Sequence, residues 1–557
     1  MTGVTDGRYY RSDDWRLSAG DDPFVENSRG GKIFLDAVAV RVLECIDGLT
    51  FEEIDREKLI STGLLETFLK VFTRVGVIKT GKEEIEKKAP PQPLKENPPV
   101  SVVIVNYNGE KHLPDLLDSL KSQTYKHIEV IVVDNRSTDN GCRWLKAHHP
   151  DVTLKELGRN TGFAAGVNAG IGLSRGEYIL VLNNDIVLDE GAVYELVRAA
   201  LSAGSQWSAI VPKMKFFDNP AFINAIGNSL YPISWGSDNF IGHVDLGQFD
   251  GVGESFSACF GAVLLNRGAL ADIGLLDPRY RFYYEDMDWS FRARAYGYPI
   301  LTAPRADIYH KFGASMSLKS QAFKFRYIVG NRLYFTLKNL DRETVKRFLF
   351  NYVIEDIKSF LIYLKRRNIS LVFAYVLGYL RFFTSLPGLI FKRRRMRKRR
   401  KEAGIEDSRI FSRAVPLNLT LMDRGSPRLD VYSLRTNYGC LDSTGGGGPG
   451  DIVIWRLRPP RNHKSSREKI YMEFGFSLPR GGHYDIYLLG MIRGGLTVYL
   501  DNRSVGMKSA EKEKSKRLRL NYLAAQNVYI PEGGHVLELS RRNHIHAVVL
   551  QKHPRGD

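Results

Sequence analysis

The chain has 557 residues, too many for one hydrophobic core, so three or four domains are expected. Hydrophobic residues make up 43% of it and charged residues 25%, which excludes a disordered chain. The net charge of +18 admits a nucleic acid or an anionic membrane as partner, but nine positive charges sit in one ten-residue run, KRRRMRKRRK (Lys392–Lys401). Half the excess is thus confined to one segment, and a nucleic-acid groove is not expected.

The four cysteines, Cys45, Cys142, Cys259 and Cys440, are far apart, with no C-x-x-C spacing. That argues against a disulfide framework or a zinc cluster and fits a reducing compartment. The opening stretch MTGVTDGRYYRSDDWRLS has no apolar core, so no secretory signal is expected.

Residues 1–80 are expected to form a small α+β module of winged-helix shape. IFLDAVAVRVLECIDG, FEEIDREKLI and GLLETFLKVFTRVGVI carry apolar residues at helical spacing and end in a short apolar strand. FEEIDREK is acidic where a recognition helix would be basic, which speaks against DNA. The hydrophobic pattern resembles PqqD-like domains; that resemblance implies a peptide as partner, and a structural cap is the plainer reading. Thr80–Pro99, charged and proline-rich, is a linker (81–99) that cannot build a core.

From 100 to 338 strands and helices alternate, which predicts a parallel sheet covered on both faces. VSVVIVNY is a strand, EKHLPDLLDSLKSQ an amphipathic helix and IEVIVVD a strand ending at Asp134. Ser137 or Thr138 is placed to cap the next helix. VTLKELG, FAAGVNAGIGLS and YILVLNND continue the pattern. From 339 to 402, RFLFNYVIEDIKSFLIYLKRR is amphipathic, and Ile369–Phe391 is long enough to span a bilayer. Arg381 in its middle would cost roughly 2.5–3.5 kcal/mol on insertion, and Pro387-Gly388 breaks it near the end. A helix lying in the interface beside the basic run is favoured, on the cytoplasmic face of the inner membrane; core helices with a solvated basic tail are the alternative. Residues 415–557 read as all-β, with turns such as Gly445–Gly450, and predict a β-sandwich. GGHYDIYLLGMIRGGLTVYLDNRSVG and PEGGHVLELS resemble jelly-roll carbohydrate-binding modules; a structural role is equally open.

The polar clusters follow the apolar strands, where open α/β sheets bind ligands. Asp134 ends a strand and either accepts hydrogen bonds from a base or ribose or caps a helix. Gly158–Gly170 is glycine-rich at a helix start, suited to phosphate or to close packing, and no GK[ST] follows to make a P-loop. Asn183-Asn184-Asp185 follows YILVL, and Asp185 is a hard-cation ligand of the kind Mg²⁺ shares with substrate phosphates. Glu285, Asp286 and Asp288 crowd FYYEDMDW, with Arg292 and Arg294 available to pair them. A carboxylate shielded by Tyr283, Tyr284 and Trp289 would have a raised pKa and serve as a base. His310 ends a further strand-like run.

The order NYNG, VDNRSTD, RNTGFAAGVNAG, LNNDI, GLLDPRYRFYYEDMDWSFRARAYGY and IYH, over about residues 99–335, resembles glycosyltransferase family 2, and within it rhamnosyl- and galactofuranosyltransferase-like members. The resemblance implies a GT-A (Rossmann-like) fold, a nucleotide-sugar donor, Mg²⁺ or Mn²⁺, and inversion at the anomeric carbon. Carried over, Asn106, Tyr107 and Asp134 lie at the nucleoside, Arg159 and Asn168 line the donor pocket, Asn183 and Asn184 belong to donor binding, and Asp185, which with Asn183 occupies the ends of the family's DxD motif, binds the metal. His310 completes the metal site, Asp286 is the catalytic base, and Glu285, Asp288 and Trp289 support it. Asn183 stands where many members have Asp, which removes one negative charge. The acceptor implied is a glycan or lipid-linked glycan in cell-surface polysaccharide synthesis. The alternatives are a transferase acting on a peptide recruited by the N-terminal module, and a non-catalytic sugar-binding scaffold.

Overall fold

The computed structural model describes residues 8–18, 24–30, 32–35, 37–57, 62–80, 93–230, 236–241, 244–245, 247, 249–250, 253–311 and 321–405. Beyond these it describes 422–423, 426–429, 452–454, 461–462, 469–470, 472–478, 482–492, 498–500, 503–505, 519–530, 533–539 and 544–552. Residues 81–92 of the expected linker, Cys440 and the expected turn at Gly445–Gly450 lie outside them. The chain divides into two units, one of Met1–Ile85, Phe240–Gln248 and Pro416–Asp557, the other of Glu86–Asn239 and Phe249–Val415.

In the first unit β1 (Tyr9–Arg11) pairs antiparallel with β5 (Ile78–Thr80). β2 (Trp15–Ser18), β3 (Phe24–Asn27) and β4 (Lys32–Leu35) form an antiparallel meander. Three helices lie between these strands: α1 (Ala37–Cys45), α2 (Phe51–Arg56) and α3 (Thr62–Val75). The start of α2 is written in the T-x-x-E spacing of Thr50 and Glu53, whose side chains each bond the other's backbone N–H. Ser426–Leu429, expected in the C-terminal β region, pairs parallel to β4 instead. Met422–Asp423 pairs antiparallel with Ser426–Leu429, and the other described C-terminal strands form two four-stranded antiparallel sheets and one two-stranded pair.

The second unit is built on a sheet whose strands are β6 (Val100–Asn106), β7 (Ile128–Asp134), β8 (Thr153–Glu156), β9 (Tyr178–Asn183), β10 (Ile186–Leu188), β11 (Ala209–Phe216), β12 (Ile223–Ala225), β15 (Ala262–Asn266) and β16 (Ile300–His310). β13 (Asn228–Leu230) and β14 (Gly236–Asp238) form a separate hairpin. The order is β10-β16-β11-β15-β9-β6-β7-β8, with β12 on β11. β6 to β9 are parallel, as the continuous apolar runs of β6 and β9 predict. The sheet as a whole is mixed: β15 runs antiparallel to both β9 and β11, and β10 antiparallel to β16. The expectation of a parallel sheet fails at β15, which follows the β13–β14 hairpin in chain order where a parallel strand would follow a crossover helix. Strand alternation sends Val102, Ile104, Leu180 and Leu182 to one core and Val103, Val105, Ile179 and Val181 to the other.

The covering helices are α4 (Leu113–Lys121), α5 (Gly141–His148), α6 (Phe163–Ile171), α7 (Ala192–Ser202), α8 (Arg267–Ile273) and α9 (Glu285–Ala295). The chain then enters α10 (Gln321–Asn339), α11 (Arg342–Lys365), α12 (Ile369–Phe383) and α13 (Leu386–Ala403). Among the described residues no single helix is long and apolar enough to cross a membrane. α12 and α13 pass that test only as a pair and are bent by 62°. The break falls at Thr384-Ser385 rather than at Pro387, which lies in the first turn of α13, where a missing N–H costs nothing.

Candidate active site

The parallel strands end on one edge of the sheet, and their last residues bond one another. Asn106 Nδ2 donates to Asp134 Oδ1 at 2.9 Å, and Asn184 Nδ2 donates to Asn106 Oδ1 at 2.9 Å. Asp134 also accepts from Ser137 N at 2.9 Å and from Ser137 Oγ. Asn106, Asp134 and Asn184 are all buried. These three form a latch that ties the ends of β6 and β7 to the turn after β9. Both carboxylate oxygens of Asp134 are used inside the protein, and Ser137, expected as a helix cap, is spent on Asp134. The cap position of α5 falls to Asn140, which makes no side-chain bond to the helix. Tyr107 and Arg159 are exposed at this edge.

The glycine-rich stretch serves packing and a turn. A side chain at Gly170 would meet Val103 Cγ1 at 2.2 Å, so α6 lies directly on β6. Gly162 has φ 89°, and a Cβ there would meet Arg281 O at 2.8 Å. Asn168, expected in the donor pocket, is held instead by backbone: its amide donates to Leu276 O at 2.8 Å and its oxygen accepts from Leu276 N at 3.1 Å.

Asp185 is buried beside His310, because register sets Ile186 opposite His310 across β10 and β16. His310 Nδ1 lies 2.9 Å from Asn224 Oδ1 and Nε2 lies 3.4 Å from Asp185 Oδ1. With Nδ1–H donating to Asn224, the Nε2 lone pair faces a carboxylate oxygen. Two electron-rich atoms at that separation call for a positive charge between or on them, a proton or a cation. A carboxylate oxygen and an imidazole nitrogen suit a divalent ion. Among the described residues no group of three or more His, Cys, Asp or Glu is arranged to hold a metal, so substrate or water would supply the remaining ligands. Asn183, half-buried, closes β9 and donates its N–H to Gly261 O at 2.9 Å.

The acids of FYYEDMDW part company. Asp288 and Trp289, expected to support the base, face away from the site. Asp288 is fully buried and accepts from Tyr280 Oη, Asn339 Nδ2, Lys338 Nζ and Arg292 Nε, and Trp289 Nε1 donates to Gly274 O. Asp288 is two positions beyond Asp286, about 200° around the helix axis, so the two carboxylates leave α9 on opposite sides. Arg294 pairs with Glu254 at 3.5 Å rather than with these acids.

Ahead of α9 the backbone is strained: Arg281, Tyr283 and Tyr284 have φ of 62°, 66° and 72°. Asn331 of α10 holds it there, its amide within 3.0 Å of the carbonyls of Tyr280, Phe282 and Tyr283. The result is a fixed entry that sets Glu285 and Asp286 on the first turn of α9. A helix N-terminus favours each anion by about 0.3–1 kcal/mol, but burial wins. Burial, and Asp286 beside it, push Glu285 up to about 8. Burial, and less strongly Asp238, push Asp286 up to about 6.

Asp238 and Asn228 were not legible as site residues. Burial raises Asp238 to about 6, offset in part by His310. One end of the Asn228 carboxamide is 3.3 Å from Asp286 Oδ2 and the other, turned as a donor, 3.3 Å from Asp238 Oδ1. These contacts belong to opposite orientations of one amide, so Asn228 donates to Asp286 or to Asp238 but not to both, and the two acids act on each other through charge. Its segment, WGSDNF, has neither strand alternation nor a spaced partner, so sequence gave no signal for it.

The raised Glu285 predicts a stability effect. An ordinary glutamate releases its proton near pH 4.3. Between there and about 8 the folded chain holds a proton that the unfolded chain has lost, so stability falls as pH rises through that window. Glu285→Gln carries no charge at any pH. It is expected to melt higher than the wild type at pH 9 and to lose that advantage at pH 5. A variant that melts no higher at pH 9 would show that the buried charge is not the cost.

Residues 101–270 match the family described as glycosyl transferase family 2. The chain is 27% identical over 245 residues to an N-acetylglucosaminyl-diphospho-decaprenol L-rhamnosyltransferase of Mycobacterium tuberculosis, covering 38% of this chain and 75% of that one. It is 24% identical over 264 residues to a low-salt glycan biosynthesis hexosyltransferase of Haloferax volcanii, covering 44% and 78%. Among solved structures, a mannosyltransferase of Pyrobaculum calidifontis in complex with GDP-Man and Mn²⁺ is 14% identical, with a TM-score of 0.33, covering 63% of this chain and 86% of that one. The chain carries a glycosyl transferase family 2 domain and is an enzyme of the glycosyltransferase class.

Proposed function

We propose that the domain moves one sugar from a nucleotide-diphosphate donor to a hydroxyl of a glycan or lipid-linked glycan, with inversion at the anomeric carbon. The relatives that act in rhamnosyl transfer to a decaprenol-linked sugar and in glycan biosynthesis support that acceptor class. The observation that carries the reading is the pairing of two unlike acid sites, one in the turn after β9 and one on the first turn of α9. Asp185 faces an imidazole, whereas Asp286 faces another carboxylate and holds its proton up to about pH 6.

The division of labour follows from these environments. The acceptor oxygen attacks the anomeric carbon as the bond to the diphosphate oxygen breaks, and Asp286 takes the acceptor's proton. A base with a value near the working pH is ionised enough to accept and basic enough to be useful. The left-handed turn at Arg281–Tyr284 holds Asp286 in place, with Asn228 beside it. Asp185 and His310 would hold a divalent metal, which when bound neutralises charge on the leaving diphosphate. Asn224 fixes the imidazole for that task. The Asn106–Asp134–Asn184 latch forms the floor on which the nucleoside rests, with Tyr107 exposed above it.

Melting curves with UDP, GDP or dTDP, each with and without Mn²⁺, test the donor site. One nucleotide is expected to raise the melting point in a metal-dependent way, and Asp185→Asn to lose that rise. A metal-independent rise that survives in Asp185→Asn would remove Asp185 and His310 from the metal role, and no rise with any nucleotide would overturn the donor site. The anomeric configuration of the product, read by NMR, tests inversion.

A further inference from the structure

Helix α12 is apolar nearly all round, yet only one side is covered. Leu371, Ala374, Tyr375, Gly378 and Phe382 are buried. The other side carries Ile369, Phe373, Val376, Leu377, Leu380 and Phe383, each 44–61% exposed. Their spacing draws one stripe along the helix. Ile390 and Phe391 of α13 extend the exposed apolar surface. Monomeric proteins rarely leave so contiguous a patch to water.

The basic run that follows is split by its helical turn. Lys392, Arg393 and Arg400 point inward, to Asp277, Leu337 O and Asn339 O. Arg394, Arg395, Arg397, Lys398, Arg399 and Lys401 are exposed. An exposed apolar stripe thus runs into a cluster of outward positive charge. A second copy of this chain seated on the stripe would bring a second basic run toward the first. An anionic lipid surface matches both features. α12 is 15 residues, about 22 Å, too short to cross the bilayer's hydrocarbon core of about 30 Å by itself.

The inner side of the same two helices holds the segment that leads to the acids. Arg381, which would be costly in lipid, points into the protein. Its Nη2 donates to Arg279 O at 2.7 Å and Tyr280 O at 3.3 Å, and its guanidinium lies over the Tyr327 ring. Arg279 Nη2 returns bonds to Arg381 O at 2.6 Å and Thr384 Oγ1 at 2.7 Å. Lys392 bonds both oxygens of Asp277 at 2.8 Å. From Asp277 to Tyr280 the chain is thus bonded to α12 and α13.

We propose that the outer face of α12 and the start of α13 seat on an anionic bilayer surface, and that this docking firms the Arg279–Tyr284 segment which positions Glu285 and Asp286. The docking surface stands independently of the transferase reading; its consequence for the acids rests on that reading.

The test is flotation of the full chain with phosphatidylcholine vesicles, with and without phosphatidylglycerol. Two variants accompany it: Phe373→Ser with Leu377→Ser and Leu380→Ser, and Arg394→Gln with Arg395→Gln, Arg397→Gln and Lys398→Gln. The wild type is expected to float only with the anionic vesicles and to be released by salt. Each exposed base near such a surface is worth roughly fivefold in binding, so the charge variant should bind at least about tenfold more weakly. The serine variant should also lose binding. Nucleotide-induced melting shifts are expected to persist in both variants, which separates a failed membrane face from a failed donor site. Wild-type protein that floats with neither vesicle, or equally with both, overturns the proposal. So does a wild-type dimer that the serine variant makes monomeric without loss of vesicle binding. Hydrogen exchange of amides 279–284 should slow on adding anionic vesicles, and unchanged exchange in floated protein overturns the link to the acids.

Discussion

Replacing Asp286 with Asn is expected to lower turnover by about 10²–10⁴-fold, the usual contribution of a positioned general base, while nucleotide binding stays as in the wild type. Asparagine keeps the shape of the side chain but cannot take the acceptor's proton. Its fold should not suffer. In the wild type Asp286 lies between two other acids, Glu285 and Asp238, and burial holds all three above the ordinary carboxylate range. Removing one charge relieves the others, so the variant's melting point at pH 8 should match or exceed that of the wild type. The pH profile separates a base from a structural residue. Wild-type turnover should fall as pH drops below about 6, where Asp286 takes up its proton, and the variant's residual rate should not follow that limb. Asp238 is the competitor for the role, because it lies within reach of the same Asn228 amide and burial raises both acids to about 6. A large loss in Asp238→Asn with little loss in Asp286→Asn would transfer the role to Asp238.

The difference between these two acids also marks how far sequence reading reaches. Asp286 is found because it lies in a dense acidic and aromatic motif at a helix start, and Asp185 because it follows an apolar strand. Such signals are local. β6, β7 and β9 are legible for the same reason, since each is a short apolar run with a turn behind it. The antiparallel course of β15 is not, because strand direction depends on the path of the chain between strands. Asp238 and Asn228 are brought to the site by a hairpin, β13–β14, whose residues carry no periodic signal. Asn168 and Asp288 show the opposite failure. Each stands in a motif that suggests ligand contact, yet folding spends its polar atoms on backbone or on buried partners. A local pattern tells which residues can do chemistry, and only packing tells which are still free to do it.

Lys338→Met should be the most destabilising of the substitutions considered. Lys338 Nζ lies 2.8 Å from Asp277 and 2.8 Å from Asp288, with all three side chains buried. Burial alone would raise both carboxyls. Lys338, joined by Lys392 at Asp277 and by Arg292 at Asp288, outweighs it and holds both below the usual range. Methionine fills a similar volume but leaves two carboxylates facing each other with less positive charge between them. Breaking a buried pair in this way costs about 3–5 kcal/mol, a large part of a typical domain's 5–15 kcal/mol, and should lower the melting transition by roughly 10 °C. The loss carries a pH signature. Carboxyls held low in the folded state contribute stability that is present above their unfolded value, near 3.9, and is lost as pH falls through the folded one. The gap between wild type and variant should therefore be widest at neutral pH and close in acid. Adding Asp288→Asn to Lys338→Met should restore part of the stability at pH 7, because it removes the charge left unpaired. A gap that does not change with pH would mean that lost packing, not charge, explains the effect. Because Asp277 and Asp288 bracket the strained turn ahead of α9, Lys338→Met should also slow turnover at temperatures where the domain remains folded. Asp288→Asn alone, which leaves every positive partner in place, should slow it less.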